Sequence, residues 1–274
     1  MYQPPHNKGL LHGNLRRRGI YWLPNLFTTA ALFAGFYAIV QAMNGNFQPS
    51  AIAIFVAMVF DGLDGRVARM TRTQSAFGAE YDSLSDMVSF GVAPALVSYV
   101  WALYGFGSFK GVAHIGWLGS RLGWVAAFIY CACAALRLAR FNTQLEVADK
   151  RFFQGLPSPA AASLIAGMVW AFDEYGVAGA DAKWVAWAIT VFAGLSMVTS
   201  LKFYSGKDIN LRKSVPFNVV VLIAIAVMAL VLFSSRLPEI LFLLFVIYGL
   251  SGYVTWVLDR RRRRRMPPPE EPPE

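Results

Sequence analysis

The chain has 274 residues, 56% of them hydrophobic and 15% charged, with a formal net charge of +9 and a mean hydropathy of +0.45. A soluble globular domain carries roughly 25% charged residues, so a soluble enzyme is excluded and an integral membrane protein is implied. The positive charge belongs to membrane topology and not to nucleic-acid binding, because it is distributed to one side of the apolar segments.

Residues 1–20 are polar and basic, ending in Arg16, Arg17 and Arg18, and read as a cytoplasmic N-terminal segment. The apolar stretch that follows is too long for a signal-peptide core and lacks a small-residue cleavage site, so it is expected to remain as the first span. Eight stretches near the roughly 20 residues that cross a bilayer occupy 21–43, 48–70, 82–104, 121–141, 157–173, 182–200, 215–234 and 237–258. They predict an all-α, polytopic membrane helix bundle of about eight transmembrane helices, a single membrane domain over 21–259. Pro24, Pro157, Pro216 and Pro238 fall near predicted helix starts, where a missing N–H costs little. Pro94 follows Gly91 inside the third span and is expected to kink it. Cys131 and Cys133 point to different faces of one helix and read as packing residues, neither disulfide-bonded nor metal-binding. The tail 260–274, "RRRRRRMPPPEEPPE", is low-complexity and predicted to be disordered.

With the N-terminus inside, 21 of the 25 Lys and Arg residues collect on the cytoplasmic side, and Lys110, Arg121, Lys183 and Arg236 are left outside. This imbalance predicts that both termini are cytoplasmic and that the number of spans is even. Arg260 to Arg265 would anchor the last span, and each could add about 1 kcal/mol of attraction to anionic headgroups.

The segment "DGLDGRVARMTRTQSAFGAEYDSLSD", residues 61–86, places four aspartates between two apolar stretches. An aspartate at the centre of a membrane helix costs roughly 2.5 to 3.5 kcal/mol, so four together need a reason. At about 100° per residue, Asp61, Asp64, Gly65, Ala68 and Arg69 share one broad helix face. Asp82 and Asp86 are one turn apart on the next helix, with Gly78 a turn earlier. The 11-residue stretch 71–81 makes the two helices antiparallel neighbours, so both acid pairs meet at the cytoplasmic end. Such a cluster requires a cation. The segment has no His or Cys, and oxygen-only ligands suit Mg²⁺ or Mn²⁺ held together with substrate phosphates. Gly65 and Ala68 leave room beside the acids, and Arg69 can neutralise a phosphate.

The pattern Asp61-x2-Asp64-Gly65-x2-Ala68-Arg69-x8-Gly78-x3-Asp82-x3-Asp86 fixes eight positions over 26 residues and resembles the signature of the CDP-alcohol phosphotransferases. Pro24, Asn25 and Thr28 resemble the family's first-span element. "LRLARFN" at 136–142 and "FQGLPSPAAA" at 153–162 extend the likeness toward the members that use CDP-diacylglycerol and L-serine. The resemblance implies transfer of a phosphatidyl group to serine with release of CMP. It implies that Asp61, Asp64, Asp82 and Asp86 hold the metal, and that Asp86 is also the catalytic base. By the same resemblance Asn25, Thr28, Asp61, Gly65, Ala68, Arg69, Ser75 and Gly78 seat the cytidine diphosphate. It further implies a homodimer, in a bacterial or archaeal cytoplasmic membrane, with the active site facing the cytoplasm.

A serine acceptor brings a carboxylate, for which Arg137, Arg140 and Asn142 at the cytoplasmic end of the fourth span are candidates, with Ser83 and Ser85 beside the acids. A guanidinium grips a carboxylate or a lipid phosphate through two parallel hydrogen bonds. Glycerol phosphate or inositol phosphate remains open as the acceptor. Asp82-x3-Asp86 alone would suit an intramembrane prenyltransferase, but the Asp-Gly-x2-Ala-Arg portion would not. A cation transporter would need ionisable groups at mid-depth in several spans.

Overall fold

The computed structural model describes residues 10–71, 75–107, 113–143, 152–204 and 236–263. Helices α1 (Leu10–Met43) and α2 (Phe47–Thr71) form an antiparallel hairpin. Its turn places Gly45 at φ 76°, in the left-handed region that favours glycine. Buried Ala38 and Ala42 of α1, with Ala51, Ile54 and Ala57 of α2, line the bundle interior, where small side chains let membrane helices approach closely. The Ser50 hydroxyl donates to the Ala38 carbonyl at 2.7 Å across the hairpin.

Helix α3 (Ala76–Asp86) opens on Ser75, whose side chain accepts the Gly78 N–H at 3.0 Å and so caps the helix. It continues through a π-helical turn (Met87–Val92) into α4 (Ala93–Trp101). A 3-10 turn at Leu103–Gly107 precedes α5 (Ala113–Thr143). Strand β1 (Phe152–Gln154) leads to α6 (Ser158–Glu174) and α7 (Gly179–Val198). Strand β2 (Lys202–Tyr204) pairs antiparallel with β1, Phe153 opposite Phe203, and α8 (Leu237–Arg263) closes the described chain. Helix α6 lies at the centre, buried on almost every side from Ser158 to Val169, with α2, α7 and α8 packed on it.

Among the described residues, five helical segments are long and apolar enough to cross a membrane: Asn25–Met43, Ala76–Trp101, Arg121–Thr143, Gly179–Val198 and Leu237–Leu258. The all-α membrane bundle is therefore observed. The predicted stretches 48–70 and 157–173 are also helical, but acids and arginines interrupt α2 and α6 has only 17 residues. The stretch 215–234 and Pro216 lie outside the described residues, as do residues 264–274 of the tail.

Several boundaries differ from the sequence reading. Helix α1 begins at Leu10, so Pro24 lies within it and not at its start. A proline inside a helix forfeits one N–H and crowds an earlier carbonyl, a defect that membrane helices tolerate where neighbours or water satisfy the freed group. The link between the acid-bearing helices is also shorter than 71–81. Helix α2 runs to Thr71, and the Ser75 cap starts α3 at Ala76. Pro94 is accompanied by the π-helical turn immediately before α4. It offers no N–H to the Phe90 carbonyl four residues back, and the Tyr130 hydroxyl donates to that oxygen at 2.9 Å instead. Leaving such a buried carbonyl unpaired would cost about 1–3 kcal/mol.

Candidate active site

Helix α2 carries Asp61 and Asp64 toward the end of the bundle where α3 begins, and α3 returns with Asp82 and Asp86. Asp61, Asp82 and Asp86 each present a carboxylate oxygen within 4.8 Å of the other two, and all three residues are partly buried. Asp61 and Asp86 are in hydrogen-bonding contact. Asp64 is turned toward α1, 6% exposed, and accepts a hydrogen bond from the Thr28 hydroxyl. It is still near enough to repel Asp61 and Asp82. The convergence of the two acid pairs is thus observed, with three carboxylates in one cluster and the fourth held at its flank.

The donor set fits a hard divalent cation. It is oxygen only, and carboxylates this close repel one another unless positive charge lies between them. Two oxygens on one Mg²⁺, each at about 2.1 Å, stand at most about 4.2 Å apart. Small side-chain rotations from the observed spacing would therefore bring the three oxygens onto one ion.

Arg137 of α5 faces this cluster, close enough to Asp61 and Asp86 to attract both. Its Nη1 donates to the Ser158 hydroxyl at 2.7 Å, and its Nε is buried without a hydrogen-bond partner among the described residues. A buried donor left unpaired is costly, and this one sits beside the acids at the start of α6. Arg140, one turn on, is engaged differently. Its Nη1 and Nη2 donate to the Val198 and Thr199 carbonyls at 3.3 and 3.4 Å, at the C-terminal end of α7, where cations suit the exposed carbonyls.

The remaining predicted residues divide between the site and its scaffold. The Asn142 amide donates to Ser83 Oγ at 3.0 Å, tying the end of α5 to α3 at the rim. Ser85 is 2% exposed and donates to the Thr28 carbonyl at 3.1 Å, so its hydroxyl proton is committed to the α1–α3 contact. Asn25, Ser75 and Gly78 share one corner: a Cβ on Gly78 would stand 3.1 Å from Ser75 Oγ and 3.6 Å from Asn25 Oδ1. Gly65 is exposed on α2. Ala68 and Arg69 continue the helical backbone, but their side chains lie outside the described set. Residues that sequence reasoning missed are Ser158, the partner of Arg137, and the pair Thr29 and Tyr81, whose hydroxyls are 2.9 Å apart. The Pro-Ser-Pro sequence at a helix start is the local signal that could have drawn attention to Ser158.

Acids of two adjacent helices thus converge at one end of the bundle beside a buried guanidinium. Residues 21–195 match the CDP-alcohol phosphatidyltransferase family, and the chain belongs to it. The chain is 32% identical over 238 residues to a CDP-diacylglycerol–serine O-phosphatidyltransferase of Helicobacter pylori, covering 87% of this chain and 92% of that protein. A protein of the same description from Methanocaldococcus jannaschii is 33% identical over 206 residues, 74% of this chain and 82% of its own length. One from Saccharomyces cerevisiae is 36% identical over 152 residues, half of each chain.

Proposed function

We propose that this integral membrane protein transfers the phosphatidyl group of CDP-diacylglycerol to the hydroxyl of L-serine, giving phosphatidylserine and CMP. The observation that carries the reading is the junction of Asp61, Asp82 and Asp86 with Arg137 at one end of the bundle. Asp61, Asp64, Asp82 and Asp86 hold Mg²⁺ or Mn²⁺. Bound there, the cation supplies positive charge to the diphosphate and to the departing CMP. Asn25, Thr28, Asp61, Gly65, Ala68, Arg69, Ser75 and Gly78 seat the cytidine diphosphate, Arg69 adding its charge to the phosphates. Asp86 accepts the proton of the serine hydroxyl as the oxygen bonds the β-phosphorus. The bond from that phosphorus to the bridging oxygen breaks, and CMP leaves with the electron pair.

Arg137 seats the serine carboxylate. Its Nη1 is oriented by Ser158, and its unpaired Nε is the donor that an anion beside Asp86 would meet. Ser83 and Asn142 line the rim by which the acceptor enters. Arg140 and Ser85, committed to backbone carbonyls, support the site from behind. The chain crosses the membrane eight times as one domain over 21–259. Both termini and the site face the cytoplasm of a bacterial or archaeal cell, an orientation that the asymmetry of Lys and Arg supports. The segment 1–20 stays on that side, and Arg260 to Arg265 meet anionic headgroups, with Arg260 stacked 5.3 Å from the Trp256 ring centroid. The enzyme works as a homodimer.

The test is to purify the protein in detergent and supply CDP-diacylglycerol with Mg²⁺ or Mn²⁺, offering one acceptor at a time. Phosphatidylserine and CMP formed only with serine and metal are the expected products. CMP release with glycerol phosphate or inositol phosphate, and none with serine, would keep the site and replace the acceptor. No CMP release from folded protein with any acceptor would remove the enzymatic reading in favour of cation transport, which a flux assay would then register.

A further inference from the structure

Asp82 and Asp86 reach the acidic cluster because of how their helix is wound beyond them. Between Asp86 and α4 the chain makes its π-helical turn, in which the Ala93 N–H bonds the Val88 carbonyl, five residues back. Such turns wedge an extra residue into the helical repeat and occur often at functional sites. One residue is worth about 100° of rotation and 1.5 Å of rise. With α4 fixed in the core by buried Pro94, Ala95 and Val97, relaxing the turn to α geometry would swing Asp86 away from Asp61.

The turn is held from two sides. On the α1 side, Ser89 donates to the Ala31 carbonyl at 3.0 Å, and Gly35 lies so close that a Cβ there would stand 2.7 Å from Ser89 Cα. On the α5 side, fully buried Tyr130 donates to the Phe90 carbonyl, the oxygen that Pro94 cannot serve. A Cβ on Gly91 would stand 3.3 Å from the Cβ of Ala134, and Arg137 reaches Asp86. Tyr130, Ala134 and Arg137 follow one another along a single face of α5 and meet Phe90, Gly91 and Asp86.

From this alignment we infer that Tyr130 is a positioning residue for the metal site: its hydroxyl fixes the π-helical turn and thereby aims Asp82 and Asp86 at the cation. It touches neither substrate nor metal. The inference rests on the reading of the aspartates as metal ligands.

Binding of Mn²⁺ to the purified full chain, followed by the electron paramagnetic resonance signal of the free ion, tests it without any assay of turnover. Tyr130→Phe is compared with Thr190→Val, which breaks the 2.8 Å bond between buried Ser98 and Thr190, twelve residues past Asp86. Tyr130→Phe is expected to weaken Mn²⁺ binding roughly tenfold, the scale of losing a group that orients metal ligands. Thr190→Val should bind like the wild type. Unchanged affinity in Tyr130→Phe would overturn the inference, and so would equal weakening in Thr190→Val, which would mark general loosening of the bundle. Wild-type protein that binds no Mn²⁺ would remove the metal reading itself, before any variant is compared. Should Tyr130→Phe fail to fold, Ser89→Ala releases the other side of the turn: weaker Mn²⁺ binding supports the inference and unchanged binding overturns it.

Discussion

The two ends of the bundle use carboxylates in opposite ways. At the far end, Glu239 accepts from the Tyr175 hydroxyl, and Glu174 accepts from the Gln48 amide at 3.3 Å, both in exposed positions. Each of these two acids meets a neutral donor, Glu239 with Arg236 nearby and with its second carboxylate oxygen unpaired among the described residues. At the near end Asp61, Asp82 and Asp86 meet each other, partly buried, and the guanidinium beside them keeps one buried donor unpaired. Neutral partners and water make an acid part of the surface. Like charges gathered out of water leave the near end unfinished until a cation and an anion are added, and that requirement separates a binding site from a polar rim.

The sharpest way to break this contrast is to remove one acid from the near end. Asp82→Asn keeps the size of the side chain and deletes a charge, and should lower serine transfer by at least roughly a hundredfold, the upper range for disturbing the supports of a metal ligand. Chelation by EDTA should have a comparable effect on the wild type and be reversed by added Mg²⁺ or Mn²⁺, read as CMP release. Arg137→Lys comes next. A lysine keeps a charge but loses the planar fork, so KM for serine should rise about tenfold, while KM for CDP-diacylglycerol changes little. An equal rise in both would move Arg137 from the acceptor to the lipid phosphate. Gly155→Ala probes the scaffold of the same end. Gly155 has φ 77°, and a Cβ there would stand 2.1 Å from the Met197 carbonyl oxygen. A loss of about 1–3 kcal/mol of stability, measured by thermal unfolding in detergent, is expected without a change in metal requirement.

The near end was the more legible in sequence because its information is local. Spacings of three and four residues put each acid pair on one helix face, and the short connection brought the pairs together. Arg137 stood out as a guanidinium at the cytoplasmic end of an apolar run. The direction of Asp64 could not be read, because Thr28, which holds it, lies 36 residues earlier. Ser85 looked like an acceptor contact, and only the packing of α1 against α3 commits its hydroxyl elsewhere. The pairing of β1 with β2 was invisible for a related reason: strands of three residues are too short to show an alternating pattern. Tyr130 read as one more aromatic in an apolar helix until the carbonyl freed by Pro94 came beside it.

The smallest effect belongs to the far end. Tyr175→Phe deletes the hydroxyl donated to Glu239, a contact between exposed groups that water can replace. Serine transfer, Mn²⁺ binding and the thermal midpoint should all match the wild type. The hydroxyl also raises the Tyr175 phenol above its ordinary range through its bond to Glu239. Tyrosinate therefore forms only at high pH, and no change near neutrality is expected from this pair. A clear loss of transfer in Tyr175→Phe would mean that the two ends are coupled through α6, whose first residue holds Arg137 and whose C-terminus is capped by Tyr175. The contrast between acids met by neutral donors and acids gathered on one another would then have to give way to a single mechanical unit running the length of that helix.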